Sequence, residues 1–320
     1  MKPKVLIARA VFPEIVESLR ERFEVEHNVD DRPWAPEELG RRLQGKAGVM
    51  TTVMDRIDES VIAQAGDLKV IANIAVGYNN VDVAAATRRG IRVTNTPGVL
   101  DDTTADLTWA LLMAAARRIA EGDAYVRASE WKVAFTMQAF LGQDIHHATL
   151  GILGMGRIGQ AVARRARGFD MRVIYNNRSR LSPEDEARCG ASYVDRDALL
   201  AQSDFVVVMA PYSPATHHLI GAAEIAKMKP TAILVNSARG GIVDDAALVE
   251  ALKEKRIAGA GIDVFEGEPK VHPGYMALRN VVMTPHVGSA SRATRLAMCN
   301  TAAANMTAVL EGREPPNPVN

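Results

Sequence analysis

Three polar residues in the second half of the chain are of types that cooperate in carbonyl chemistry. Arg239 follows Val235-Asn236-Ser237-Ala238 and precedes a pair of glycines. Glu268 lies in Asp263-Val264-Phe265-Glu266-Gly267-Glu268-Pro269, and His286 in Thr284-Pro285-His286-Val287-Gly288-Ser289. Each stands just past a run that reads as a β-strand, and in open α/β sheets ligands bind beyond the carboxyl ends of the strands. An arginine can hold a carboxylate in a fork and polarise the carbonyl beside it. A histidine can deliver or take a proton near neutrality, and a carboxylate bonded to it favours its protonated form and fixes its orientation. Singly, each has a plainer reading as a surface arginine, a loop histidine or a solvated turn carboxylate. Residue chemistry does not choose between Glu266 and Glu268.

A second constellation is Gly154-Met155-Gly156-Arg157-Ile158-Gly159, placed after a predicted strand, Thr149–Leu153, and before a predicted helix running to Phe169. In a dinucleotide site the first glycine makes the tight turn, the second admits the pyrophosphate, and the third lets helix and strand pack closely. The helix N-terminus then offers free N–H groups to phosphate. An NAD-selective site places an acid after the second strand of the unit. This chain has Asn176-Asn177-Arg178-Ser179-Arg180 there instead. Asn177, Arg178, Ser179 and Arg180 are therefore candidate cofactor contacts. Two arginines with no acid beside them predict a preference for NADPH, whose extra phosphate guanidinium binds, with NAD still possible.

These residues need a sheet to hold them, and the sequence supplies two series of short β-branched runs alternating with helical stretches. The first runs through Val5–Ala8, Phe23–His27, Gly48–Thr52, Lys69–Ile74 and Ile91–Asn95, with helices at Pro13–Arg22 and Pro36–Leu43. The second comprises Thr149–Leu153, Met171–Tyr175, Phe205–Ala210, Ala232–Asn236, Ala260–Val264 and Val281–Thr284, with a helix at Asp244–Lys255. Such alternation predicts an α/β fold with mostly parallel sheets. Between the series, Asn95-Thr96-Pro97-Gly98 is a break, followed by a predicted helix from Asp102 to about Ala120. Trp131–His147 is poorly periodic and reads as an ordered loop. The Ala-rich stretch from Ser289 to Gly312 reads as a helix, and periodicity alone does not say where it docks.

Composition narrows the class. The 320 residues carry 38 Lys+Arg against 38 Asp+Glu, a balance that argues against a polyanion-binding surface and so against nucleic acid as a partner. The longest apolar stretch, Trp109 to Ala116, falls far short of the roughly 20 residues a membrane helix needs, and the N-terminal apolar run closes at Arg9, unlike a signal peptide. Cys189 and Cys299 are too few for a disulfide framework and read as buried small hydrophobes in a cytoplasmic chain. His146-His147 and His217-His218 invite a metal reading. Adjacent residues rarely ligate together, however, and no set of acidic partners accompanies them, so no metal site is expected.

Several of these segments together resemble the D-isomer-specific 2-hydroxyacid dehydrogenases, in particular their glyoxylate/hydroxypyruvate reductase branch. The resemblance runs through Val76-Gly77-Tyr78, Asn95-Thr96-Pro97, Asp102-Thr103-Thr104-Ala105-Asp106, the glycine loop, Asn236-Ser237-Ala238-Arg239-Gly240, Asp263–Pro269 and Pro285–Ser289. It implies that Arg239, Glu268 and His286 are the catalytic residues, its spacing selecting Glu268 over Glu266. It implies a substrate carboxylate bound by backbone N–H groups at Val76 and Gly77, with Ser289 facing substrate. Cofactor contacts are implied at Thr104, Arg157, Ile158, Arg178, Ser179, Arg180, Pro211, Ser237, Ala238, Asp263 and Gly288. The implied fold has two Rossmann-like domains: a discontinuous flavodoxin-like substrate domain (1–98 and 289–320) and a dinucleotide-binding domain (99–288). A homodimer is implied, with the long helix after Pro97 and the loop after it at the interface. The chain departs from the family pattern at Ala134-Phe135, which leaves substrate size open. The activity implied is NADPH-dependent reduction of glyoxylate or hydroxypyruvate. A larger 2-oxo acid such as 2-ketogluconate, or a corepressor-like dinucleotide-sensing role without turnover, are the alternatives.

Overall fold

A computed structural model describes residues 2–320, which form two compact units, residues 2–100 with Ala290–Asn320, and Asp101–Ser289. The first unit opens with the strands Lys4–Ile7 (β1), Glu24–His27 (β2), Gly48–Thr51 (β3), Val70–Asn73 (β4) and Arg92–Thr94 (β5). The helices Pro13–Arg20 (α1), Pro36–Arg42 (α2), Glu59–Gln64 (α3) and Val83–Arg88 (α4) connect them. The sheet is parallel in the order β2-β1-β3-β4-β5, the flavodoxin-like arrangement. Its central strands are buried along their whole length, which is why they read as unbroken apolar runs: a parallel sheet is covered on both faces.

The second unit holds Asp101–Ala116 (α5), Ile119–Arg127 (α6), Thr149–Leu153 (β6), Arg157–Ala166 (α7), Arg172–Asn176 (β7), Pro183–Cys189 (α8), Ala191–Tyr193 (β8), Arg196–Gln202 (α9) and Phe205–Val208 (β9). It continues with Ala222–Ile225 (α10), Ile233–Asn236 (β10), Asp245–Lys253 (α11), Gly259–Ile262 (β11) and Val281–Met283 (β12). The seven strands are parallel in the order β12-β11-β10-β9-β6-β7-β8. The order reverses between β6 and β9, and their carboxyl ends frame the crevice where doubly wound sheets take ligands. The last helix, Arg292–Leu310 (α12), belongs to the first unit. There Cys299, Ala302 and Met306 pack with Val5, Ile7, Met50 and Val70.

One expectation changes. The helix predicted from Asp102 to Ala120 ends at Ala116, and a separate α6 begins at Ile119. Arg118 between them is in the left-handed region, φ 53°, and its guanidinium grips Glu121 in the first turn of α6 at 2.7 and 2.9 Å. The N–H of Gln143 also donates to the carbonyl of Ala116 at 2.9 Å, capping the helix end from outside. Part of the apolar side of α5 faces its own unit. Ala105, Trp109, Leu111 and Leu112 are buried in the core of their own unit, and the Trp109 ring stacks on Phe169 at 4.9 Å. Met113 of α5 is exposed, as are Ile119, Val126, Trp131, Val133, Phe135, Met137 and Leu141 beyond it. Cys189 and Cys299 are both buried free thiols. Among the described residues no helix is long and apolar enough to cross a membrane.

Candidate active site

The loop after β10 is turned by its own first residue. Asn236 accepts the Ala238 N–H at 3.2 Å and donates to the Arg239 carbonyl at 3.1 Å, the Asx-type bonding that lets asparagine substitute for a backbone turn. Arg239 is thereby fixed at the carboxyl end of the sheet. Its guanidinium is half-buried and has no hydrogen-bond partner among the described residues. Burial pulls its pKa down, and the nearby Glu268 carboxylate pulls it back up in part. Five donors with no protein acceptor are poised for an anionic ligand.

Glu268 and His286 form a bonded pair, with Glu268 Oε2 2.7 Å from His286 Nδ1. The other oxygen, Oε1, accepts the Phe265 N–H at 2.8 Å. Burial pushes the Glu268 carboxyl up. The hydrogen bond and charge of His286, the Phe265 N–H and the charge of Arg239 outweigh that, and the group sits below its ordinary value. Glu268 is thus a carboxylate at neutrality, and a carboxylate only accepts, so Nδ1 carries the shared proton and Nε2 is left for a substrate. Glu266 is turned elsewhere: its N–H donates to Asp245 at 3.0 Å and its carboxylate meets His218. The geometry brings Arg239, Glu268 and His286 together and leaves Glu266 out.

The segment carrying His286 is held by Asp263, at the end of β11. Asp263 Oδ1 accepts from the Thr284 hydroxyl at 2.6 Å and the Val287 N–H at 2.8 Å, and Oδ2 accepts from the Gly288 N–H at 2.9 Å. Both oxygens are thus engaged within the protein. Burial pushes the Asp263 carboxyl up against these bonds and the charge of His286. His286 itself has φ 54°, left-handed backbone that a non-glycine residue adopts only when its surroundings impose it. Asp263 and Thr284 impose it here. The resemblance implies a cofactor contact at Asp263; in the structure its carboxylate positions the histidine loop.

The glycine loop joins β6 to α7. Gly154 has φ 103°, and a Cβ there would lie 2.5 Å from the backbone of Met209 and Ala210, past the end of β9. A Cβ at Gly159 would strike the Gly154 carbonyl, whereas one at Gly156 would meet nothing. The loop's N–H groups are divided: Met155 donates to Asn177 Oδ1 at 2.7 Å, but those of Arg157 and Ile158, opening α7, have no partner among the described residues. Free space at Gly156 beside free N–H groups at a helix start is what a pyrophosphate requires, so the residues fit a dinucleotide. Gly154→Ala is expected to cost about 2 kcal/mol or more of stability, read as a lower urea midpoint at unchanged m. Gly156→Ala is expected to fold normally and lose dinucleotide affinity by fluorescence titration; normal affinity would remove Gly156 from the site.

The arginines after β7 are not equivalent. Arg180 is bound in a fork by Glu186 of α8 at 2.8 and 2.9 Å, and the Tyr175 hydroxyl donates to the same carboxylate at 2.7 Å. The hydrogen bonds from Arg180 and Tyr175 hold Glu186 down at about 2. An acid therefore does stand beside Arg180 in space, six positions after it in sequence, and the reading of two arginines with no nearby acid is corrected for Arg180. Arg178 and Ser179 are exposed, and Arg178 has no partner among the described residues.

The remaining predicted contacts are scattered more widely. Ser237 is buried with its hydroxyl 2.6 Å from that of Thr108. Thr104 lies beside Gly288, where a Cβ would come within 3.4 Å of its methyl group. Pro211 is exposed after β9, its carbonyl taken by Thr216 at 2.8 Å, and Ala238 and Ser289 are partly exposed. Val76 and Gly77 lie in the first unit, in the bend after β4, and their N–H groups have no partner among the described residues. The residues missed in sequence are positioning groups: Asn236, Thr284, Asp245 and Glu186. Only Asn236 carries a local signal, its place at a strand end before a turn.

Residues 109–288 match the family described as "D-isomer specific 2-hydroxyacid dehydrogenase, NAD binding domain". The chain is similar over its whole length to a glyoxylate reductase of Thermococcus onnurineus, at 48% identity across 100% of this chain and 96% of that protein. A glyoxylate reductase of Pyrococcus furiosus matches at 47% over the same shares. Among solved structures, an NADPH-dependent glyoxylate/hydroxypyruvate reductase from Sinorhizobium meliloti, in complex with NADP and malonate, superposes with a TM-score of 0.89 at 32% identity. That match covers 100% of this chain and 97% of the other.

Proposed function

The chain belongs to the D-isomer specific 2-hydroxyacid dehydrogenases, and on that premise we propose that it reduces small 2-oxo acids, glyoxylate or hydroxypyruvate, to D-2-hydroxy acids with a nicotinamide dinucleotide. The observation that carries the reading is the Glu268–His286 pair at 2.7 Å beside an unpartnered Arg239 guanidinium. Arg239 holds the substrate carboxylate and draws electron density from the adjacent carbonyl oxygen. His286 Nε2 gives its proton to that oxygen as the carbonyl is reduced, and Glu268 holds the ring through Nδ1 and keeps Nε2 aimed. The bound cofactor supplies the hydride. Val76 and Gly77 carry free N–H groups suited to an anion, and we assign them to substrate. The unit that contains them is accordingly the substrate domain, with the glycine-loop unit as its dinucleotide-binding partner. Absorbance of NADPH followed with glyoxylate, hydroxypyruvate, pyruvate and 2-ketogluconate in turn tests the reading. Absence of oxidation with every acid would overturn it.

NADPH is the proposed preferred cofactor. Arg178, exposed and unpartnered, is the residue free to meet the 2′-phosphate, with Ser179 beside it, because Arg180 is committed to Glu186. Arg178→Ala is expected to lower kcat/KM with NADPH by about tenfold and to leave NADH little changed, in keeping with the loss of one charge-assisted contact of roughly 1.5 kcal/mol. An equal loss with both cofactors would remove Arg178 from selectivity. A homodimer is proposed from the cluster of exposed apolar side chains at Trp131, Val133, Phe135, Met137 and Leu141, a patch larger than isolated surface residues explain. A monomeric mass in sedimentation would remove that reading. A cytoplasmic location is proposed, in keeping with two buried thiols left unpaired. Recovery of the enzyme in an oxidising compartment on fractionation would refute it.

A further inference from the structure

We propose that His217, His218 and Glu266 form a binding site for a divalent transition-metal cation, Zn²⁺ being the natural probe. Adjacent residues in extended chain point to opposite sides, the reason for discounting His217-His218 in sequence. His218 is not extended: its φ is 50°, and the left-handed step swings both imidazoles to one side, where the rings stack with centroids 3.9 Å apart and 24° between planes. Glu266 then supplies the acidic partner that the local sequence lacks, its Oε2 2.9 Å from His218 Nε2. One potential ligand atom from each of the three residues lies within 4.8 Å of the others. Two ligands about 2.1 Å from a tetrahedral zinc stand roughly 3.4 Å apart, so side-chain rotation of about an ångström closes the site. Two imidazoles and one carboxylate, with room for water, is a ligand set that zinc accepts.

The surroundings favour a formed site over a chance ion pair. A His218–Glu266 pair alone needs nothing from His217, yet the Tyr212 hydroxyl stands 3.3 Å from His217 Nδ1 and limits that ring's rotation. Gly241 passes close underneath, at φ 79°. A Cβ there would come within 3.2 Å of the Tyr212 ring, 3.5 Å of His217 Nδ1 and 3.9 Å of the Glu266 carboxyl carbon. The turn bearing Glu266 is pinned by Asp245, which accepts the Glu266 N–H at 3.0 Å and the Tyr275 hydroxyl at 2.9 Å. Asp244, 3.8 Å from His218 Nδ1, adds a second negative charge. A bound cation would clamp the loop after β9 to the turn that also carries Glu268.

Isothermal titration of the metal-stripped full chain with Zn²⁺ tests this. One ion per chain is expected, with a Tm that rises as zinc is added. His217→Ala and Glu266→Gln should each weaken binding at least tenfold and abolish the Tm rise, while turnover without zinc stays unchanged and reports an intact fold. His146→Ala/His147→Ala should leave binding intact. Zinc affinity that survives both His217→Ala and Glu266→Gln, or that is lost only with His286→Ala, would overturn the assignment. So would no saturable binding to the wild-type chain.

Discussion

His286→Ala is expected to lower kcat/KM for glyoxylate by about 10³-fold while the cofactor Kd moves by no more than about twofold, the range general acid–base groups contribute. The split follows from the geometry. The imidazole makes no bond to the glycine loop, whereas its Nδ1 is tied to Glu268 at 2.7 Å and its Nε2 is free. Glu268→Gln should give a smaller loss, since the amide keeps a hydrogen bond to the ring but removes the charge that stabilises the imidazolium. The Glu268 carboxyl lies below its ordinary value in the folded chain. Its contribution to stability is therefore present above the unfolded pKa and lost as pH falls through the lower folded value. Acid unfolding of Glu268→Gln should accordingly be less steep than that of the parent. Single-turnover rates checked with a transferred deuteride would separate the chemical step from binding. A normal chemical step in His286→Ala would end the proton-donor assignment.

Much of this site was legible in the sequence because its parts sit at strand ends, and strand ends are marked by local composition. Val235-Asn236-Ser237-Ala238-Arg239 and Thr284-Pro285-His286 each show an apolar run stopping at a turn residue, and the sheet then places the polar residue at its carboxyl edge. The glycine loop was legible for the same reason, since Gly154 and Gly159 answer to backbone collisions that spacing alone encodes. What was not legible is whatever depends on side chains distant in sequence. Nothing local to Arg180 announces that Glu186 will close on it from α8, or that Glu266 will arrive beside His218 from 48 residues away. The extent of α5 was not legible because Ala and Leu continue to favour helix through Arg118. The left-handed turn there is set by Glu121 and by Gln143 returning from the far side of a loop. Periodicity could identify the helix at 292–310 but not its contacts, because the small residues that pack against β3 and β4 would suit any flat apolar face.

Arg239→Met is expected to cut reduction of 2-oxo acids by orders of magnitude while leaving the fold as stable as the parent or more so. Burial pulls down the pKa of the guanidinium, and no hydrogen bond among the described residues compensates. In the free protein it is a partly desolvated charge, eased only by the field of Glu268. A methionine of similar reach removes that cost, and replacing buried charge by apolar volume is commonly neutral or stabilising. A gain of about 1 kcal/mol would raise Tm by about 2–4 °C in a unit of this size. For function the sign reverses. The fork's two charge-assisted bonds to a carboxylate are worth roughly 1.5–3 kcal/mol each, so their loss should lower kcat/KM by about 10²–10⁴-fold. Arg239→Lys keeps the charge and loses the fork, and should fall between the two. Thermal unfolding and steady-state kinetics on the same preparations read both quantities. A methionine variant that loses stability in step with activity would mean that Arg239 holds the fold together, and the substrate-binding role would then have to pass to another residue.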